Sequence, residues 1–314
     1  MTNLRNGLHT QQSIVISSPQ FWRGLRFQKM ILPWIFLLPV TLLHIVVVVI
    51  PVILAMYYAF TDWSGIGAAK FVGLQNFHNL LFVDRDFHRA FSNNLLWMAL
   101  FLTIPFVMAL FAAAFLAPVR RGGLFFRSSL FVPYVLPTVA GAFIWRTLFT
   151  SGTGLGAQLA QWGIPGFDIA YLGRTDTALF AVATANIWHW WGFLMVLFLT
   201  AMQAVPAELY EAARIDGANR WQEFIHITLP GIRSTVTFMF MMTSVGVLSS
   251  FEYVYILTGG GPAGSSELVA TYLYKQAFWH IRMGYASAIG LSIAILSATI
   301  IGLFSVLRRR DAEV

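Results

Sequence analysis

The chain has 314 residues, of which 58% are hydrophobic and only 11% charged, with a mean hydropathy of +0.69. A soluble domain carries about a quarter charged residues, so this composition excludes a water-soluble globular protein and indicates an integral membrane protein. The net charge of +7 is scattered singly or at membrane borders with no aromatic-interleaved basic stripe, which argues against nucleic acid as a partner, and the lack of cysteine excludes disulfide and thiol chemistry.

Crossing hydrocarbon takes roughly 20 apolar residues per helix, and six stretches qualify. Residues 1–30 precede them as a polar, aperiodic tail. The first span, about Ile31–Phe60, is too long for a signal-peptide core and lacks a small-residue cleavage site. Its Pro33, Pro39 and Pro51 predict a bent or interrupted helix. The loop 61–90 carries FVGLQNFHNLL, a candidate interfacial helix, and Asp84 and Asp86, read as solvated charges. The second span is about Phe91–Pro118. The third, Leu124–Phe149, is interrupted by Arg146. Residues 150–177 are Gly-rich and amphipathic. The fourth span, Ala178–Val205, holds His189, read as an interhelical hydrogen bonder. After the polar loop 206–230 comes the fifth span, Ile232–Leu257. The segment 258–284 opens with TGGGP, read as a flexible turn because it lacks the Lys-Ser/Thr ending of a phosphate loop. It ends among boundary-favouring aromatics, Tyr272, Tyr274, Phe278 and Trp279. The sixth span, Tyr285–Leu307, leads to a short tail, 309–314. The fold class is therefore an all-α integral membrane protein with six transmembrane helices.

Orientation follows from the basic residues. The N-tail, the 118–127 link, the 206–233 loop and the C-tail hold thirteen of the twenty Lys and Arg residues. These segments, including both termini, are expected in the cytoplasm. No metal-spaced His/Cys cluster, HExxH or nucleophile elbow is present.

The polar loop reads EAARIDGANRWQEFIHITLP over 211–230. Its charges and freed backbone groups cannot sit in hydrocarbon. Pro206 suits the first helical position, and Glu208 and Glu211 suit the positive end of that helix. Gly217 suits the left-handed residue that ends it. Asn219 with Gln222 resembles a capping box opening a second helix, which Leu229-Pro230 should stop. A rigid helix–turn–helix knob is predicted, with Ala212 and Ala213 leaving room for another protein's backbone.

The spacing Glu211-Ala212-Ala213, then Gly217, then Ile227, Leu229 and Pro230, resembles the EAA loop of ABC importer permeases. FEYVYILTGGGPAGSSELVATYLYKQAF, WIFLLPV at 34–40 and PYVLPTVAGAFIW at 133–145 resemble the maltose-type sugar permeases, inner-membrane components of binding-protein-dependent transport. The likeness runs from about Leu32 to Arg308. It implies a type I ABC importer transmembrane-domain fold over 31–308, in a bacterial cytoplasmic (inner) membrane. It also implies a second homologous permease as a hetero-pair, two copies of an ATP-binding subunit, an extracytoplasmic solute-binding protein, and a sugar or oligosaccharide as cargo. ATP and Mg would be held by the ATPase subunits, so the chain itself is expected to have no cofactor, no metal and no catalytic residue. Glu211, Ala212, Ala213, Gly217, Ile227, Leu229 and Pro230 would couple it to the ATPase.

Sugars are bound by aromatic faces and a few oriented polar groups. Asn186 and Trp190 share a helix face, and Glu252 lies beside Tyr253 and Tyr255 in the outer half of the fifth span. These five are candidate substrate-pathway residues, with packing between helices as the competing role. A stand-alone ion-coupled transporter is the alternative, but it would want paired mid-membrane ionisable groups, and Glu252 has no match. A membrane-embedded transferase would need clustered carboxylates or a metal site, and none is seen.

Overall fold

The computed structural model describes residues 33–119, 121–164 and 167–311. The expected tail 1–30, the start of the first span at Ile31 and the last residues 312–314 lie outside them. Among the described residues there is no strand, only an isolated antiparallel bridge between Thr61 and Phe71. The chain divides into two compact units, 1–54 and 55–314. Most of α1 (Pro33–Tyr58) belongs to the first unit, and its side chains are exposed along its whole apolar length. The expected interruption is absent. Instead Ile45–Val49 winds as a π-turn close to Pro51, the wider register that accommodates a residue unable to donate.

The second unit is organised around α2 (Arg85–Leu116), whose 32 residues span about 48 Å at the α-helical rise. It starts upstream of the expected Phe91 because Asp84 caps it. Asp84 Oδ1 accepts from the backbone N–H of Asp86 at 3.1 Å and of Phe87 at 3.0 Å. Along its length α2 contributes to three apolar clusters. Phe87 and Ala90 join the one at its start, Trp97 and Phe101 the middle one, and Phe106, Ala109 and Ala113 the one at its far end.

The expected third span is two helices, α3 (Gly123–Val135) and α4 (Thr138–Leu148), bent by 94°. Pro137 causes the break: it forces Leu136 to an extended ψ of 141° and is itself extended at 133°. Next comes α5 (Ala178–Gln203), close to the expectation. It packs so tightly on α3 that a Cβ on Gly192 would lie 2.1 Å from the Leu130 carbonyl oxygen.

The knob follows as α6 (Ala207–Ile215) and α7 (Arg220–Gly231). The expected fifth span is divided into α8 (Arg233–Leu248) and α9 (Glu252–Leu257). Asn94, 1% exposed on α2, ties the end of α8 to the start of the next helix but one. Its Nδ2 donates to the Val247 carbonyl at 3.2 Å, and its Oδ1 accepts from the Val269 N–H at 3.0 Å, where α10 (Val269–Phe278) begins. The last helix, α11 (Met283–Asp311), runs past the expected end at Leu307 and takes in the first residues of the expected tail. Among the described residues four helices, α1, α2, α5 and α11, are long and apolar enough to cross a bilayer, and the bent pairs α3–α4 and α7–α8 bring the number to six if each is one span.

Asp84 is not a solvated charge. Its Oδ2 accepts from the hydroxyls of Tyr272 on α10 and Tyr285 on α11, each at 2.6 Å, so one carboxylate ties three helices together. Asp86 does stand exposed. The TGGGP turn is also held: Ser266 Oγ donates to the Gly261 carbonyl at 2.6 Å, and the residues that follow the turn are clamped from α2 and α10. Arg89 donates to the Ala263 carbonyl, Asn93 to the carbonyls of Gly264 and Glu267, and Lys275 pairs with Glu267. Gly260 is required there, because a Cβ would lie 2.2 Å from the Glu267 carboxylate.

Two outcomes follow from this packing. Gly192→Ala should cost about 1–3 kcal/mol through the forced separation of α5 from α3, lowering the thermal midpoint of the purified chain by several degrees. Gly246→Ala, with nothing within 4 Å of the new Cβ, should not. Burial pushes the Asp84 carboxyl up, but the hydrogen bonds from Tyr272, Tyr285, Phe87 and Asp86 outweigh it and hold it below its ordinary 3.8. A depressed carboxyl contributes stability that is complete above its unfolded value and lost as pH falls through the lower folded value. Thermal scans below about pH 4 should show that loss in the native chain, whereas Asp84→Asn should be less stable at neutral pH and lack this acid-dependent part.

Candidate functional site

The knob is built from local chemistry upward. Pro206 sits one residue before the expected place, at the N-cap with ψ 133°, and α6 starts at Ala207 with Glu208 in its first turn. Gly217 ends the turn with φ +82°, and the space where its Cβ would lie is open. Asn219 caps α7. Its Oδ1 accepts from the N–H of Trp221 and Gln222, each at 3.0 Å, while Gln222 Oε1 accepts from the Asn219 N–H at 2.8 Å.

Pro230 does not stop α7. The residues Phe224–Thr228 before it form a π-turn, and the helix continues to Gly231. The change of direction falls at Ile232, where α7 and α8 meet at 67°. The knob's second helix and the following span are thus one chain segment with a bend.

Three contacts brace the two knob helices and seat them on the bundle. Arg214 Nε donates to Glu223 Oε1 at 2.7 Å, and Glu223 is buried. The Tyr210 hydroxyl and Thr228 Oγ1 are 2.9 Å apart. Phe111 of α2 stacks on Trp221 with ring planes 5° apart and also meets Phe224. Arg214 and Glu223 carried no signal in the sequence beyond their opposite charges.

Of the predicted coupling residues, Glu211, Ala212, Gly217 and Pro230 are exposed, and Ala213, Ile227 and Leu229 are half-buried. Ala213, Gly217 and Ile227 line one shallow groove with Gln222 and His226. Beside it stands Ile215, a large apolar side chain that is 86% exposed. Sequence reasoning missed Ile215; its place in the turn of EAARIDG was the available signal.

The five pathway candidates are only partly brought together. Tyr253 is 2% exposed, its ring 5.8 Å from His189. Its hydroxyl rests on Gly141 of α4, where a Cβ would be 2.5 Å away. Trp190 lies beside Tyr134 and Phe193. Tyr255 turns away to Phe251 and Tyr274, Glu252 is exposed at the start of α9, and Asn186 is half-buried on α5. His189 does not make the expected interhelical bond through Nδ1. That atom is buried without a partner, as are the Tyr253 hydroxyl and the indole nitrogens of Trp145 and Trp190. The four side chains come from α4, α5 and α9.

An apolar helical bundle with bent spans and a braced polar knob at one end is a multi-pass membrane protein of the permease class. More narrowly, residues 106–311 match the family described as binding-protein-dependent transport system inner membrane component, and the chain belongs to that family. It is 36% identical over 274 residues to the probable ABC transporter permease protein YurN of Bacillus subtilis, covering 86% of this chain and 93% of that one. It is 34% identical over 280 residues to the diacetylchitobiose uptake system permease protein NgcF of Streptomyces coelicolor, covering 85% and 79%. Among solved structures, a chain of a bacterial alginate ABC transporter, in complex with an alginate pentasaccharide-bound periplasmic protein, superposes with a TM-score of 0.80. That match has 25% identity over 93% of this chain and 98% of that one.

The knob geometry has a measurable consequence. Glu223→Ala removes the brace between α6 and α7, and amide exchange across 206–231 should accelerate about tenfold, the factor expected for losing a charge-assisted bond. Glu211→Ala, at an exposed position, should leave exchange there unchanged.

Proposed function

We propose that this chain is one of two homologous permease subunits of an ATP-driven, binding-protein-dependent importer for a sugar or oligosaccharide. The observation that carries the reading is the single bent segment α7–α8, in which a braced surface knob continues directly into a span. A push on such a knob moves a transmembrane helix; a push on a floppy loop is dissipated. The names of the similar diacetylchitobiose and alginate transporters support a saccharide cargo.

In this reading the knob and both termini face the cytoplasm, and two copies of an ATPase hold ATP and Mg outside this chain. The groove edge formed by Ala213 and Gly217, with the exposed Ala212 next in the chain, receives the ATPase backbone, Glu211 gives it a polar contact, and Ile215 supplies apolar area. Ile227, Leu229 and Pro230 carry the displacement to α8. Alternating access then rocks α4 and α9 against α5. The unpaired donors and acceptors of Trp145, His189, Trp190 and Tyr253 suit the hydroxyls of a passing sugar, since a buried polar atom without a partner gains most from meeting one. Asn186, Glu252 and Tyr255 would line the approach. A binding protein delivers the sugar at the opposite end.

The decisive comparison is at Gly217. With open space around it, a side chain there costs only the left-handed backbone, on the order of 1–2 kcal/mol for most residues and least for Asn. Gly217→Val should lose most ATP-driven uptake and much of the co-purifying ATPase, and Gly217→Asn should keep both. Equal, normal uptake in the two variants would sink the reading, as would uptake by the chain alone in vesicles without ATP.

A further inference from the structure

We propose that the end of the bundle opposite the knob holds a saccharide site of its own, in a polar basin of about 700 Å³ between the 61–83 segment, α10 and α11. That volume falls within the range of small-molecule sites. The proposal rests on the functional reading only for the choice of saccharides as probes.

The basin has a fixed frame. The Asp84 carboxylate, with the Tyr272 and Tyr285 hydroxyls, forms part of its wall. Asn76 donates to the carbonyls of Ala59 and Thr61 at 2.9 and 2.8 Å. The Gly284 N–H donates to the Trp63 carbonyl at 2.8 Å, and the Trp63 ring stacks on Tyr58 at 3.9 Å. A site whose walls are held before binding loses little freedom when it fills.

The chemistry of the lining selects the ligand. Asp84 already accepts four hydrogen bonds, so it frames the basin and takes no ligand. Asp62 and Asp86 offer exposed carboxylates, Asn79 an amide, and Arg282 a guanidinium. Gln276 is 5% exposed in the same wall, and its Oε1 has no partner. Vicinal hydroxyls both donate and accept, so they match this alternation of carboxylate, amide and guanidinium. Three carboxylates facing one arginine repel an acidic sugar. Among the described residues no three of His, Asp and Glu converge as a metal-holding group, so the acids are not arranged for a cation. The basin therefore fits a neutral saccharide of one or two rings.

The test is saturation-transfer NMR on the full chain with its partner subunits in lipid nanodiscs, using maltose and N,N′-diacetylchitobiose as neutral probes and digalacturonate as the acidic one. The neutral sugars should bind saturably with millimolar Kd, and digalacturonate at least about tenfold more weakly. Gln276→Leu and Asp62→Asn should each weaken the neutral sugars about tenfold. Asp62→Asn keeps an oxygen for the Lys70 N–H and sits on an exposed residue, so it decides the matter if Gln276→Leu fails to fold. No saturable neutral binding, or affinities unchanged in Asp62→Asn, would overturn the basin while leaving ATP-driven uptake intact. Binding at the basin with no ATP-driven uptake would support the basin and overturn the transport reading instead.

Discussion

Hydrocarbon offers no partner to a free N–H or C=O, and Asn94 shows how this chain meets that demand. A broken helix inside a membrane leaves several unpaired backbone groups at each end. Here the amide of Asn94 reaches one carbonyl at the end of α8 and one N–H at the start of α10. Trp97, one turn along α2, donates from its indole to the Ser250 hydroxyl in the same break. Because these partners stand on the longest helix of the second unit, the interrupted elements are indexed to it. The irregular backbone that a transporter needs is tolerated because α2 supplies the hydrogen bonds that water or lipid cannot.

The same helix explains how the two ends of the bundle can be mechanically related. Asp84, Asn94 and Phe111 lie in order along α2. They fasten, respectively, the α10–α11 corner, the end of α8 with the start of α10, and the knob. Each apolar cluster draws on α2, with Trp97, Phe106 and Ala109 almost completely buried. Interiors packed in this way move as blocks, since small shifts are resisted and larger ones jump between discrete arrangements. A knob seated by stacking on Phe111 is therefore attached to a stiff column, and the bend at Ile232 joins it to a second one.

Much of this was legible from the sequence because it depends on local chemistry. The capping box at Asn219 and Gln222, the left-handed Gly217 and the apolar length of α5 are written in adjacent residues. What was misread depends on partners distant in the chain. Asp84 looked like a solvated acid because the tyrosines that bind it lie 188 and 201 residues away. TGGGP looked flexible because its holders lie outside it: Ser266 donates to the Gly261 carbonyl, and Arg89 and Asn93 clamp the following residues from α2. Pro230 was read as a stop, although a π-turn lets a helix pass a proline when its neighbours hold it. His189 was assigned a hydrogen bond that its Nδ1 does not make, and periodicity gives no means of seeing that.

The unpaired polar atoms in the middle of the bundle mark one place where the chain departs from full satisfaction. At the knob, the side chains of Tyr210, Arg214, Asn219 and Glu223 find partners at ordinary distances. Near α4, α5 and α9 four polar side chains do not, and two of them, the Tyr253 hydroxyl and His189 Nδ1, lie against a single small residue, Gly141. Unmet buried polarity destabilises the arrangement that contains it. The arrangement is also bounded by two half-helices, α4 and α9, each joined to its neighbour by a break instead of a continuous ladder. An arrangement made costly at its centre and hinged at its edges is one that a modest push can exchange for another. In this bundle that destabilised centre lies between the two clamped ends.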